Sequence, residues 1–210
     1  MSKLRVLVAC EYSGRVRDAF TRAGFYAMSC DLLPTESPGP HFQGDVREAI
    51  ERERWDLMIA HPPCTYLASS GLHWNKRVPG RTQLTEEALD FVRLLMTAPI
   101  RHIALENPIG CISSRIRKPD QIIQPWMFGE DASKATCLWL KNLPPLVPTN
   151  PLKKARYANQ TASGQNNLPP SADRWKIRSV TYQGIADAMG DQWGEHVAYE
   201  CGLDLVEVPA

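Results

Sequence analysis

Two short stretches of this sequence set reactive side chains in backbone with little freedom: Pro62-Pro63-Cys64 and Glu106-Asn107-Pro108. A thiolate adds to electron-poor ring carbons, and a carboxyl group stabilises the charge that such an addition creates. Cytosine carbon 5 is a weak nucleophile, but thiolate addition at carbon 6 turns the ring into an enamine that attacks an electrophilic methyl group. In that chemistry Cys64 is the nucleophile, and Glu106 bonds ring nitrogen 3 and the exocyclic amine. The two prolines leave the thiol loop little entropy to lose on binding. Taken singly, each residue has a plainer explanation: a buried thiol, a stiffened loop, a surface acid. Their position relative to the strands is what weakens the plain explanations.

Those strands are read from apolar runs. Leu4–Cys10, Phe25–Cys30, Trp55–Ala60, Arg101–Leu105 and Thr136–Leu140 each predict a strand. Between them fall helical patterns. Val16, Ala19, Phe20 and Ala23 share one face, Val46–Arg54 reads as a short helix, and Tyr182–Tyr199 as a final one. A longer helix is expected from about Thr85, as cap, to Ala98, with Leu89, Val92, Leu95 and Met96 inward. Strands alternating with helices imply an α/β fold, a mostly parallel sheet with helices on both faces. Open parallel sheets bind ligands beyond the carboxyl ends of their strands. There the sequence puts Glu11-Tyr12-Ser13-Gly14, then Asp31, then His61-Pro62-Pro63-Cys64, then Glu106-Asn107. A Gly-containing turn suits close approach of a cofactor, and an acid after the second strand suits ribose hydroxyls. The Gly-x-Gly-x-x-Gly pattern is absent, which argues against NAD.

In this motif order, from Val6 to about Leu140, the chain resembles the DNA cytosine-5 methyltransferase family, and within it a group of short phage and prophage proteins. Tyr12-Ser13-Gly14 stands at the family's Phe-x-Gly cofactor turn, Asp31 at the ribose-binding acid, and Gly44-Asp45-Val46-Arg47 at the segment whose Asp meets the adenine of S-adenosylmethionine. Pro62-Pro63-Cys64 matches the nucleophile loop and Glu106-Asn107-Pro108 the Glu-Asn-Val motif. The resemblance implies a Rossmann-like S-adenosylmethionine-dependent methyltransferase fold, with Cys64, Glu106 and Lys134 catalytic and Glu11, Tyr12, Ser13, Gly14, Asp31, Asp45 and Pro63 on the cofactor. Lys134 takes the place of the arginines before the family's sixth strand. Gly190-Asp191 stands near the late Gly-Asn motif, and Val16 near the missing second glycine of the first motif. Asn107, Trp74, Lys153, Lys154 and Arg156 are expected to face the substrate.

No counterpart of the family's separate target-recognition domain is expected within this sequence. Only the irregular, basic segment 141–178 is available, within a single domain spanning 1–210. It carries Lys141, Lys153, Lys154, Arg156, Arg174, Lys176 and Arg178 against Asp173 alone, whereas 179–210 holds six acids and no Lys or Arg. A phosphate-facing surface and a solvated loop balancing the acidic end explain this charge equally well. DNA, duplex or single-stranded, is the expected partner, and an accessory protein could supply recognition. Trp175 and Tyr157 could stack on a single strand. Two other readings stand beside it: the same fold acting on a cytosine nucleotide, on RNA or with another one-carbon donor, and a catalytically silent binding protein.

At 210 residues and 43% apolar content one packed core is expected. No apolar run nears the ~20 residues of a membrane span, and Met1-Ser2-Lys3-Leu4 leads straight into a strand, so a cytoplasmic protein is expected. The cysteines at 10, 30, 64, 111, 137 and 201 form no Cys-x-x-Cys pair, which speaks against a disulfide framework or a structural metal. His61 and His73 read as loop hydrogen-bonding residues, and Trp126 and Trp139 as core.

Overall fold

A computed structural model describes residues 4–164 and 166–202. The expectations for Met1–Lys3, and for Asp204 and Glu207 among the terminal acids, lie outside the described residues. The elements follow one another as β1 (Arg5–Ala9), α1 (Arg15–Arg22), β2 (Tyr26–Asp31), β3 (His41–Gln43), α2 (Val46–Arg52), β4 (Leu57–Ala60), α3 (Ser69–Leu72), α4 (Arg81–Met96), β5 (His102–Pro108), α5 (Ile112–Arg115), β6 (Gln121–Ile123), β7 (Thr136–Lys141), α6 (Arg174–Ser179), α7 (Gln183–Ala188) and α8 (Gly194–Glu200). The seven strands form one sheet in the order β3-β2-β1-β4-β5-β7-β6, and β7 alone runs against the others. This is the expected α/β arrangement, a mostly parallel sheet with helices on both faces.

Alternating side chains of each strand feed two cores. Val6, Val8, Leu57 and Ile59 share one core with Phe20 of α1, Ile185 of α7 and Val197 of α8. Leu7, Ala9, Met58 and Ala60 pack on the other face with α2 and α4 through Ala49, Leu89, Val92 and Leu95. Helices therefore cover both faces. The strand order reverses between β1 and β4, so their carboxyl ends open a cleft at the edge where the reactive residues stand.

Several boundaries differ from the sequence reading. The long helix begins at Arg81 after Gly80, whose φ of 78° ends the preceding turn. Thr85 is therefore not a cap but a buried residue of α4, its hydroxyl donating to the Tyr66 carbonyl and accepting from Asn75 Nδ2. Met96 is only partly buried at the end of that helix. β5 runs on to Pro108, so Glu106 and Asn107 lie within the strand rather than after it. The last helical stretch is three pieces, with a π turn at Met189–Trp193 between α7 and α8. Trp193 is fully buried there and its indole N–H donates to the Pro144 carbonyl at 2.9 Å. A Cβ at Gly190 would stand 3.0 Å from the Ala19 carbonyl carbon, so Gly190 serves packing against α1. The basic segment 141–178 is largely irregular, but it ends in α6. Among the described residues no helix is long and apolar enough to cross a membrane.

Candidate active site

Two cavities meet at the loop after β4. One, of about 200 Å³, is lined by Cys10, Cys30, Asp31, Leu32, Gly44, Asp45, Val46, Pro63 and Phe91. The other, of about 390 Å³, has Cys64, Ser69, Ser70, Ser133, Lys134, Ile177 and Arg178 among its lining residues. Pro63 thus faces the first and its neighbour Cys64 the second, and the loop is the partition between them. A third cavity of about 400 Å³ lies at the opposite, amino edge of the sheet, lined in part by Asp56, Arg101 and His102, and none of the expected site residues reaches it.

The first cavity is apolar with acids at its rim. Burial, and then the charge of Asp31, push the Cys30 thiol up to about 12; the same causes raise Cys10, so both present neutral thiols. Asp31 accepts from the Leu33 amide, and Asp45 caps α2 by accepting from the Arg47 amide at 2.8 Å. The β1 turn behaves differently from expectation. Glu11 is buried, and its carboxylate accepts from the amides of Val16 at 2.7 Å and Arg17 at 3.2 Å and from the Ser13 hydroxyl. It caps the start of α1 and lines neither cavity. Gly14 has φ 77°, and a Cβ there would stand 2.5 Å from the Arg17 guanidinium and 2.9 Å from Ser37 Cβ. The glycine makes room for Arg17, which is fully buried and donates to the carbonyls of Ser37 and Pro38 and to Ser29 and Thr35. Arg17 therefore pins the 32–40 loop, whose Leu32 lines the first cavity. Tyr12 is buried, its hydroxyl donating to the Lys176 carbonyl and meeting Ser179 Oγ. Of the residues assigned to the cofactor, Asp31, Asp45 and Pro63 line the cavity; Glu11, Tyr12, Ser13 and Gly14 build the turn beneath it.

On the other side of the partition, the stretch after Cys64 is stitched to the stretch after β5. Ser69 N donates to the Ile109 carbonyl and Cys111 N to the Leu67 carbonyl, both at 2.9 Å. Gly110 is required at this crossing, because a Cβ would lie 2.0 Å from the Leu67 carbonyl oxygen. Asn107 is 1% exposed, and its amide donates to the Pro62 carbonyl at 2.8 Å. It clamps the partition from behind rather than facing a substrate, and its Oδ1 has no hydrogen-bond partner among the described residues.

Glu106 stands behind the lining of the second cavity, its side chain 13% exposed, with His61 Nδ1 at 3.5 Å. Burial opposes its ionisation, but His61, the Lys134 charge and the Thr136 hydroxyl outweigh it and hold the carboxyl below its ordinary value. Cys64 is moved the other way: burial and then Glu106 raise its thiol, while Lys134 and Arg178 pull it down. The resting pair is a neutral thiol beside a carboxylate. The structure thus brings Cys64, Glu106, His61 and Lys134 together. It does not bring Lys153, Lys154 or Arg156 to the cavity, since Lys154 pairs with Asp131 at 2.5 Å and the wall is drawn from farther along the segment, from Asn159, Asn166 and Leu168. Trp74 is 46% exposed on the turn His73–Lys76, outside the lining. Trp139 is core, whereas Trp126 is only partly buried and stacks on Tyr157, whose hydroxyl is spent on the Leu152 carbonyl.

Leu32 and Phe91 were not singled out by sequence, and Arg178 was read only as one of the basic residues of segment 141–178. Leu32 follows Asp31 directly, a signal within reach; Phe91 is one position of an amphipathic helix and carries none. Among the described residues no group of His, Cys, Asp and Glu is arranged to hold a metal ion, and all six cysteines are free.

No family model matches the chain, and no curated protein matches it. Among solved structures, it is similar to a Spodoptera frugiperda DNMT2 triple mutant at 14% identity and a TM-score of 0.42, covering 72% of this chain and 54% of that one. The chain thus spans about half of that protein. It is also similar to the METTL16 MTase domain at 13% identity and a TM-score of 0.35, covering 67% of this chain and 73% of that domain.

Proposed function

We propose that the protein methylates carbon 5 of cytosine in DNA, with S-adenosylmethionine as donor and Cys64 as covalent nucleophile. The observation that carries this reading is the partition: consecutive residues Pro63 and Cys64 face two different cavities. A donor held against Pro63 and a ring held against Cys64 are then separated by a single loop. The first cavity fits the adenosyl part of the donor. Leu32, Val46, Pro63 and Phe91 offer apolar walls for a purine, and Asp31 and Asp45 offer acceptors for ribose hydroxyls and an exocyclic amine. When bound, the cofactor supplies an electrophilic methyl group.

The chain's own part is proton placement. Cys64 must lose a proton to add at carbon 6, and Glu106 must hold one to bond ring nitrogen 3. The resting thiol and carboxylate carry the right number of protons between them, on the wrong atoms. Each change helps the other, because a neutral Glu106 no longer raises Cys64. Lys134 steadies the thiolate; on release the proton on carbon 5 leaves to solvent as the carbon–sulfur bond breaks, the departing Cys64 thiolate regains a proton, and Glu106 returns to the carboxylate that His61 and Lys134 favour.

The test is trapping: protein, labelled S-adenosylmethionine and DNA containing 5-fluorocytosine, resolved under denaturing conditions beside Cys64→Ala. The expected result is a labelled protein-DNA adduct that Cys64→Ala abolishes while cofactor binding persists. An adduct from Cys64→Ala, or none from the native protein, overturns the covalent reading. One observation favours a second reading with another one-carbon donor. The first amides of α1, a ready anion site, are already taken by Glu11. Equilibrium dialysis with labelled S-adenosylmethionine decides it.

A further inference from the structure

The cavity beside Cys64 holds one charged group that the methylation reading leaves unused. Arg178 lines it at the end of α6, and its guanidinium has no hydrogen-bond or ion-pair partner among the described residues. Its carbonyl, by contrast, accepts from Lys134 Nζ at 3.0 Å, so the ammonium nearer Glu106 is already partly committed. α6 itself is held from two sides. Tyr12 bonds the Lys176 carbonyl and Ser179, and the Lys176 ammonium pairs with Glu36 at 2.6 Å. The guanidinium is therefore offered on a tethered backbone with its donors free among the described residues, the form in which arginine takes a phosphate in two parallel hydrogen bonds. In the same wall Ser69 and Ser70 are exposed, with hydroxyls that have no partner among the described residues. No Asp or Glu is among the residues lining this cavity.

We propose that Arg178, with Ser69 and Ser70, forms a phosphate subsite that grips the phosphate flanking the target nucleotide while its ring lies against Cys64. The ligand is a phosphodiester strand or a nucleoside monophosphate, not a free base or nucleoside. The inference rests on the cytosine reading of this cavity and names the substrate class within it. Lys153, Lys154 and Arg156, outside the lining, contribute at most a diffuse field to the same end.

The test uses the full chain and fluorescence anisotropy of a labelled single-stranded oligonucleotide containing one cytosine. The same strand is made with uncharged methylphosphonates on both sides of that cytosine. Arg178→Ala is expected to bind the ordinary strand about 10- to 100-fold more weakly, with a salt dependence shallower by about one unit of slope. Arg178→Lys recovers part of the loss, and circular dichroism shows both variants folded. On the methylphosphonate strand the native protein drops to the Arg178→Ala level and the variant loses nothing more. Competition separates the two phosphate sources: deoxycytidine monophosphate displaces the strand if one nucleotide suffices, and only a longer strand does so if a phosphodiester is needed. A native protein that ignores the methylphosphonates, a variant equally weakened on both strands, displacement by deoxycytidine alone, or no binding at all overturns the proposal. Adduct formation with 5-fluorocytosine is read separately. Arg178-dependent binding without an adduct sinks the cytosine chemistry and leaves the phosphate subsite standing.

Discussion

At the scale of single residues, the charges around Cys64 make opposite demands that can be measured apart. Lys134 lowers the Cys64 pKa and Glu106 raises it. Removing the cation in Lys134→Met should therefore move the midpoint of Cys64 alkylation by iodoacetamide to higher pH. Glu106→Gln should move it to lower pH. Cys201, the other exposed cysteine, is first replaced by serine in the background. Shifts of the same sign in both variants would mean that packing, not charge, governs the thiol. The two residues read from sequence as the chemistry-bearing pair are together in space because their neighbours are unusual: prolines before one, and Asn107 holding Pro62 beside the other. Glu11 and Asn107 were legible as polar residues at the right edge but not in their roles. A side chain's hydrogen-bond partners depend on which backbone groups the fold leaves unsatisfied, here the first amides of α1 and the Pro62 carbonyl.

At the scale of elements, hydrophobic periodicity located the strands that form the centre of the sheet, β1, β2, β4, β5 and β7. The short β3 and β6, at the sheet's edges, escaped it because three residues cannot display an alternation. The start of α4 was misplaced for a related reason: Thr85 looks like a cap, but Gly80 and the contact with Asn75 decide where the helix begins. The junction between the Cys64 loop and the strand that carries Glu106 depends on Gly110. Gly110→Ala sets a methyl group against the Leu67 carbonyl. It should cost about 2–3 kcal/mol, roughly 5–10 °C in thermal midpoint, and separate Cys64 from Glu106 enough to lower adduct formation more than cofactor binding. Differential scanning fluorimetry beside the trapping assay checks both. An unchanged midpoint would show that the crossing relaxes freely.

At the scale of the whole molecule, the switch in strand order between β1 and β4 opens the edge at which the two cavities lie, one on each side of the Cys64 loop. Asp31→Asn should weaken S-adenosylmethionine binding by about tenfold, the worth of one charge-assisted hydrogen bond, and leave strand binding unchanged. Calorimetry with each ligand separately makes the comparison, and loss of both affinities together would contradict two independent cavities. The sheet, its direction and the edge at which the two cavities open were readable from the sequence, because parallel α/β order follows from alternation of strands and helices. The course of segment 141–178 was not, since its Asn, Pro and Lys residues carry no periodicity and its contacts are with distant residues such as Asp131 and Ser133. The partition between the cavities is one loop thick, and its two prolines fix the path that sets Pro63 on one side and Cys64 on the other. Insertion or deletion of a single residue between His61 and Cys64 would carry the thiol off the wall of its cavity, so the length of this loop is as constrained as the identity of its cysteine.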